Sequence, residues 1–227
     1  LAKKHNLKVI EDNAQAIGCV YTFSNGKKKY TGTMGDIGTT SFYPTKNLGA
    51  YGDGGAIFTN SDNLAKKIKM LSSHGESNRY HHSIIGINSR LDSIQAEVLN
   101  VKLKYLNDYN QARNQIAENY NIAFSTVKEL LIPELNKNSS HVFHQYTLKV
   151  QNDKRDDLMK FLDQNRIETR VYYPIPVHKQ KAFNKYSTIS LVNTDELATS
   201  CISLPIHSEV ENSSQEYIIE QVLNFFK

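Results

Sequence analysis

Cysteine is scarce in this chain of 227 residues, which has only Cys19 and Cys201. They stand far apart and lack the short spacing of metal ligands. That argues against a disulfide framework and for a reducing compartment, so the expected location is the cytoplasm. No apolar run reaches membrane-spanning length and no signal peptide is visible, so no membrane partner is expected. There is also no concentrated basic surface. The net charge is +4, but the basic residues are scattered. The densest run, Lys27-Lys28-Lys29, follows the turn signal Ser24-Asn25-Gly26 and reads as the wet tip of a loop. Nucleic acid is therefore not an expected partner. Adjacent His81 and His82 cannot comfortably share one metal, and no carboxylate stands at helical spacing from them, so no metal is expected. Repeats and low-complexity stretches are absent. An initiating methionine is absent too: LAKKHN reads as the last turns of a helix already under way, so a further part of the protein is expected upstream.

What is present is an ordinary globular composition, 39% apolar and 22% charged, long enough for one large domain or two small ones. The segment that stands out is DIGTTSFYPTKNLGAYGDGGAIFTN, residues 36–60. It carries one lysine, Lys46, after the hydroxyls of Thr39, Thr40 and Ser41. Pro44 stiffens the turn ahead of it. Gly49, Gly52, Gly54 and Gly55 then allow tight turns before an expected strand at Ala56–Thr59. A lysine held in such a turn suits nucleophilic chemistry; the bland alternative is a solvated loop lysine.

Upstream, Leu7–Ile10 is a short β-type run that stops at Glu11-Asp12-Asn13. A helix feeding a strand that ends in a carboxylate is the α/β pattern, in which ligands sit at the carboxyl ends of strands. Asp12 and Gln15 are placed to meet one, although Asp12 also suits a helix N-cap. Tyr21–Thr33 predicts a hairpin around Asn25-Gly26, and Gly38–Phe42 a strand. Ser61 predicts the cap of a helix with Leu64, Ile68 and Leu71 on its apolar face, ended by His74-Gly75. Residues 76–89 read as a polar, irregular loop. Asp92 predicts the cap of a long helical region spanning two domains. Its stripe Ile94, Val98, Val101, Tyr105 continues through Tyr109, Ala112, Ile116, Tyr120 and Ala123 as core packing. Beyond Pro133 the pattern predicts a strand at 141–150, a helix at 153–165, a strand at 167–173 and a helix at 194–201. A loop at 203–207 follows, then a final helix at 214–226 with Tyr217, Ile218, Val222, Phe225 and Phe226 inward. The division expected is 1–110, the end of a larger domain, and 111–227, a small α+β domain.

Asp12-x-x-Gln15, Ser41-x-x-x-x-Lys46 and Asn88-x-Arg90 are the parts that a pyridoxal phosphate site needs: an amine for a Schiff base, a carboxylate for the pyridine nitrogen, and donors for the phosphate. The segments IEDNAQAIG, GDIGTTSFYPTKNLGAYGDGGAIFTN, GINSRLDSIQAEVLNVKL, VYYPIPVHKQ and ISLPIH carry a resemblance along essentially the whole chain. The sequence resembles the DegT/DnrJ/EryC1/StrS family of sugar aminotransferases. The resemblance implies an α/β fold: a partial aspartate-aminotransferase-like (fold type I) domain with a mainly parallel sheet, then a small α+β domain. The N-terminal part of the family's chain is missing.

The resemblance also implies roles. Lys46 is the catalytic Schiff-base lysine, and Asp12 pairs with the pyridine nitrogen. Gln15 lies near the ring hydroxyl, and Ser41 binds the phosphate. The family's sites are shared between two subunits, which implies a homodimer, and Asn88 reaches the partner's phosphate. Tyr43, Arg90 and His178 match positions near the sugar. The plainer alternatives are a salt bridge to Asp92 or another carboxylate for Arg90 and a loop histidine for His178. The implied reaction moves an amino group from L-glutamate to a nucleotide-linked ketosugar, at C3. The sugar is a UDP-linked 2-acetamido-3-keto-uronate or a dTDP-linked 3-keto-6-deoxyhexose. Two rivals stay open. One is a sugar dehydratase of the same fold, some of whose relatives replace the lysine with histidine. The other is a non-catalytic fragment or partner subunit.

Overall fold

A computed structural model describes residues 1–186 and 188–227. The backbone divides into two compact units. The first is Leu1–Gln111 with Leu135–His144, and the second is Ala112–Glu134 with Gln145–Lys227.

In the first unit the expected helix end is a single 3-10 turn, Lys3–His5, closed by Asn6 in the left-handed region. Strand β1 (Ile10–Asp12) follows, so Glu11 and Asp12 lie within the strand and not beyond it. Strands β2 (Val20–Thr22) and β3 (Lys28–Tyr30) form the expected antiparallel hairpin. Gly26, at φ 79°, makes the turn, and Asn25 Oδ1 accepts from Lys27 N at 3.0 Å. Lys28 and Lys29 stand in β3, so only Lys27 of the basic run is in the turn.

Strand β4 (Ile37–Ser41) is the centre of a three-stranded sheet, with β1 on one side and β5 (Gly55–Phe58) on the other. The β1–β4 ladder is parallel and pairs Glu11 with Gly38 and Asp12 with Thr39. The β4–β5 ladder is antiparallel and pairs Ser41 with Gly55. This part of the sheet is therefore mixed. Gly38 is required in β4, because a Cβ there would lie 1.9 Å from the carbonyl oxygen of Gly32.

Helix α1 (Asp62–Ser72) starts at Ser61, whose side chain accepts from Leu64 N. It ends at Ser72, and His74 and Gly75 just beyond it both take positive φ. The segment expected to be irregular contains a short hairpin, β6 (Glu76–Asn78) with β7 (His81–His82). Polar side chains build it: Glu76 accepts from Tyr80 N at 2.6 Å, and Ser77 donates to His81 O at 3.2 Å. Helix α2 (Ser93–Leu103) has Asp92 at its N-cap position, but that side chain makes no capping bond.

The single long helix expected here is broken. Tyr105 N bonds back to Lys102 O, three residues behind, and α3 (Leu106–Phe124) starts afresh. The stripe expected in the core divides: Ile94, Val101 and Tyr105 are 76%, 51% and 50% exposed, whereas Ile116 and Tyr120 on α3 are buried. Leu99 is the residue that α2 buries, with Phe42, Leu48, Ala50 and Leu106. It stands one position from Val98, about 100° round the helix.

In the second unit, β8 (Leu130–Leu131), β9 (Tyr146–Val150) and β10 (Cys201–Leu204) form an antiparallel sheet in the order β10-β9-β8. Helix α4 (Arg155–Gln164), α5 (Val192–Ser200) and α6 (Asn212–Phe225) complete the unit. Its core holds Tyr120, Phe124, Tyr146, Leu148, Leu158, Leu162, Ile202 and Val222. Burial holds the phenol groups of Tyr120 and Tyr146 protonated well above the ordinary tyrosine range.

Four expectations change here. The strand at 141–150 begins only at Tyr146. The strand at 167–173 reduces to one bridge between Arg170 and Ser203. Ile167 and Thr169 do alternate inward with exposed Glu168 and Arg170, but only Arg170 finds a ladder partner. The loop at 203–207 begins as the end of β10. In α6, Ile218 and Val222 face inward, whereas Tyr217 is 43% exposed and its hydroxyl donates to Asn165 O.

Candidate active site

Strands β1 and β4 run parallel and end in Asp12 and Ser41. In α/β sheets the carboxyl ends of such strands face ligand. No helix follows Asp12 directly, so it is not a helix cap. Its Oδ1 accepts from Ala14 N at 3.0 Å and closes a turn that carries exposed Gln15. The neighbours of Asp12 are tied down. Glu11 accepts from Gly32 N at 2.9 Å and from Met34 N and Gly35 N at 2.5 Å each. Asn13 is 3% exposed. Its Oδ1 accepts from Thr31 Oγ1 at 2.7 Å and its N–H donates to Thr39 O at 2.8 Å. The Asp12 carboxylate is thus left exposed between two anchored residues.

On β4, Ser41 Oγ accepts from Tyr43 N at 3.3 Å. Tyr43 is 51% exposed, and its carbonyl accepts from Lys46 N at 2.8 Å. The lysine turn then folds back, and Ala50 N donates to Phe42 O at 2.8 Å. Gly49 permits this, because a Cβ there would lie 2.3 Å from Pro44 O. The carbonyl of Gly49 also accepts from Lys102 Nζ at 2.8 Å. Lys46 itself is half-buried. Asp12, Gln15, Ser41, Tyr43 and Lys46 therefore sit on two neighbouring strand ends and the turns that leave them. Sequence reasoning missed Glu11, Asn47 and Lys102, whose contributions are contacts to distant segments.

Asn88 and Arg90 lie on another strip of the first unit. That strip is held along the end of α1 by Ile87 N to Leu71 O at 2.8 Å and Ser89 N to Ser72 O at 2.9 Å. Arg90 Nε donates to Asn88 Oδ1 at 3.0 Å, in place of the alternative pairing with Asp92. Both residues are exposed. His178 belongs to the second unit, in a 3-10 turn at Val177–Lys179. It is 9% exposed, not a solvated loop residue. Its Nε2 is 3.7 Å from Asp195 Oδ1, to which Lys179 Nζ approaches at 2.7 Å.

An amine, a carboxylate and a row of hydroxyls stand at the carboxyl ends of two parallel strands of an α/β protein, where such folds receive ligands. The chain belongs to the DegT/DnrJ/EryC1/StrS aminotransferase family, whose sequence profile matches residues 1–223. It is 42% identical to the "pleiotropic regulatory protein" of Geobacillus stearothermophilus, over all of this chain and 60% of that protein. It is 41% identical to the dTDP-3-amino-3,6-dideoxy-alpha-D-galactopyranose transaminase of Aneurinibacillus thermoaerophilus, over 98% of this chain and 59% of that one. It is 37% identical to the UDP-2-acetamido-2-deoxy-3-oxo-D-glucuronate aminotransferase of Pseudomonas aeruginosa, over 99% and 60%. Among solved structures, a DegT DnrJ EryC1 StrS aminotransferase from Brucella abortus superposes with TM-score 0.90 at 38% identity, over 99% of this chain and 59% of that one. The Bacillus subtilis protein NtdA, solved with bound cofactor PMP, superposes with TM-score 0.86 at 33% identity, over 99% and 52%. The fold is that of the fold type I aminotransferases. The chain spans about 60% of the length of the curated relatives named here.

The cofactor to which the family and the PMP-bound relative point is pyridoxal phosphate. The donor set fits it. Lys46 offers an amine, Asp12 an exposed carboxylate, Ser41 a hydroxyl and Gln15 an amide, all from the two strand ends.

Proposed function

We propose that this chain is the catalytic part of a longer enzyme that moves an amino group from L-glutamate to C3 of a nucleotide-linked ketosugar. The observation that carries the reading is the placement of Lys46 in a glycine-closed turn leaving β4, with Asp12 at the end of the parallel neighbour β1. When bound, pyridoxal phosphate supplies an electron sink for breaking the bond to an α-proton. Lys46 would hold the cofactor aldehyde and, once released, carry the proton as base and then acid. Asp12 would keep the pyridine nitrogen charged, Ser41 would bind the phosphate, and Gln15 would face the ring hydroxyl. Tyr43, Arg90 and His178 are the residues assigned to the sugar. The exposed guanidinium of Arg90 suits a bidentate pair with a uronate carboxylate, in keeping with the name of the Pseudomonas aeruginosa relative. The Aneurinibacillus thermoaerophilus relative supports the neutral dTDP-sugar instead.

The working form is a homodimer in the cytoplasm, with Asn88 reaching the partner's site. Its support is the first unit's exposed apolar side chains, among them Ile85 at 96% and Ile94 at 76%. The test is to reduce the cofactor-loaded, full-length protein with borohydride and map the labelled peptide, then assay amine transfer from glutamate to UDP- and dTDP-linked ketosugars. Label at Lys46 with transfer to one sugar class supports the reading. Label elsewhere, or none, overturns it and favours a non-catalytic partner subunit.

A further inference from the structure

Beside Lys46 stands Asn47, 8% exposed, and across from it Asn110 on α3, also 8% exposed. Asn47 Nδ2 donates to Asn110 Oδ1 at 2.8 Å and to Val142 O at 2.7 Å. Asn110 Nδ2 in turn donates to Ile17 O at 3.1 Å. Ile17 belongs to the turn that follows the one carrying Gln15, closed by Cys19 N donating to Ala16 O at 2.9 Å. The next residue, Gly18, packs so closely on Asn110 that a Cβ there would lie 2.6 Å from Nδ2, and it sits at φ +86°. The two amides thus form a chain with one possible direction. Its outer partners, Val142 O and Ile17 O, are carbonyls that only accept, so neither asparagine can be turned over without setting oxygen against oxygen. The chain leads from the lysine turn to the turn that follows the carboxylate's, and buried polar contacts of this kind fix geometry.

We infer that Asn47 and Asn110 are positioning residues that set the Lys46 amine relative to Asp12 through the amide relay Asn47–Asn110–Ile17. This deepens the reading of Lys46 and Asp12 given above and rests on it. Both asparagines are buried and bonded to each other, away from the exposed groups of the site. Their effect is on the spacing of Lys46 and Asp12, and small misplacements of reacting groups cost much in efficiency. Asn47 Oδ1 is buried without a hydrogen-bond partner. The contribution of this side chain is therefore its donated bonds.

The test uses the full-length protein and reads the dissociation constant for pyridoxal 5′-phosphate and the rate at which the Lys46 amine of the cofactor-free protein is acetylated. Asn47→Ala, Asn110→Ala and the double variant are compared, with the folded fraction of each taken from thermal unfolding. Asn47→Ser and Asn110→Ser, shorter side chains that stay polar and cannot span the same bonds, serve if the alanine variants unfold. Each single variant is expected to weaken cofactor binding at least about tenfold per folded molecule and to change the acetylation rate of Lys46. The double variant is expected to lose little more than the worse single, as residues acting in one chain do. Folded variants with unchanged affinity and acetylation rate, or losses that multiply, overturn the relay. Lys46→Ala and Asp12→Ala run alongside. If these bind the cofactor like the parent, the site itself is misassigned and the relay falls with it. If they lose binding while the asparagine variants do not, only the relay falls.

Discussion

At the residue scale, chemistry at the proposed site depends on a few side chains with distinct tasks. Lys46→Ala is expected to abolish borohydride labelling and lower amine transfer by about 10³-fold or more, the range lost with a general acid–base group; stopped-time product assays check this. Glu11 has a supporting task, holding the amides of Gly32, Met34 and Gly35. Glu11→Ala strands those donors, and urea unfolding should show a loss of about 1–3 kcal/mol. Asp12, Ser41 and Lys46 are legible in the sequence because amine, acid and hydroxyl announce their chemistry. Glu11, Asn47 and Asn110 are not, because their meaning lies in partners 21 to 95 residues away. Nothing in an asparagine's identity says which carbonyl it will meet.

At the scale of elements, turns and hairpins with strong local chemistry are readable, as Asn25-Gly26 and the Ser61 cap show. Elements decided by partners are less so. Residues 167–173 have strand alternation but only one ladder contact, and β10 exists because β9 lies beside it. The break between α2 and α3 leaves no glycine or proline to betray it. The lysine turn offers a direct test. Gly49→Ala would press a Cβ onto Pro44 O at 2.3 Å, and the turn must shift. A stability loss of about 1–3 kcal/mol, with weaker cofactor binding, is expected by unfolding and titration.

The start of β4 gives a pH prediction. Asp36 is held below the ordinary carboxylate range, first by the Val9 amide and then by Lys8. A depressed folded value stabilises the fold above the unfolded value, and that stabilisation is lost as pH falls through the folded one. Asp36→Asn should therefore flatten the acid limb of the stability profile below about pH 4.

At the scale of the whole molecule, the first unit exposes apolar side chains on its sheet and on α2, including Ile10 at 67%, Ile57 at 52%, Ile94 and Val101. Ile94→Asp with Val101→Asp in the full-length protein should shift sedimentation from dimer toward monomer. An unchanged sedimentation coefficient would remove this face from the proposed interface. Among the described residues, no helix is long and apolar enough to cross a membrane.

The segment Leu135–His144 belongs to the first unit, although stretches of the second flank it in the chain. The units are therefore not separable blocks of gene. A crossover placed after Gln111, exchanging everything downstream with a distant relative, would replace Val142 and with it the carbonyl that receives Asn47. Such chimeras would carry a foreign support beneath their own lysine. Shuffling of this chain with its relatives should give stable chimeras only where residues 135–144 travel with the parental front half.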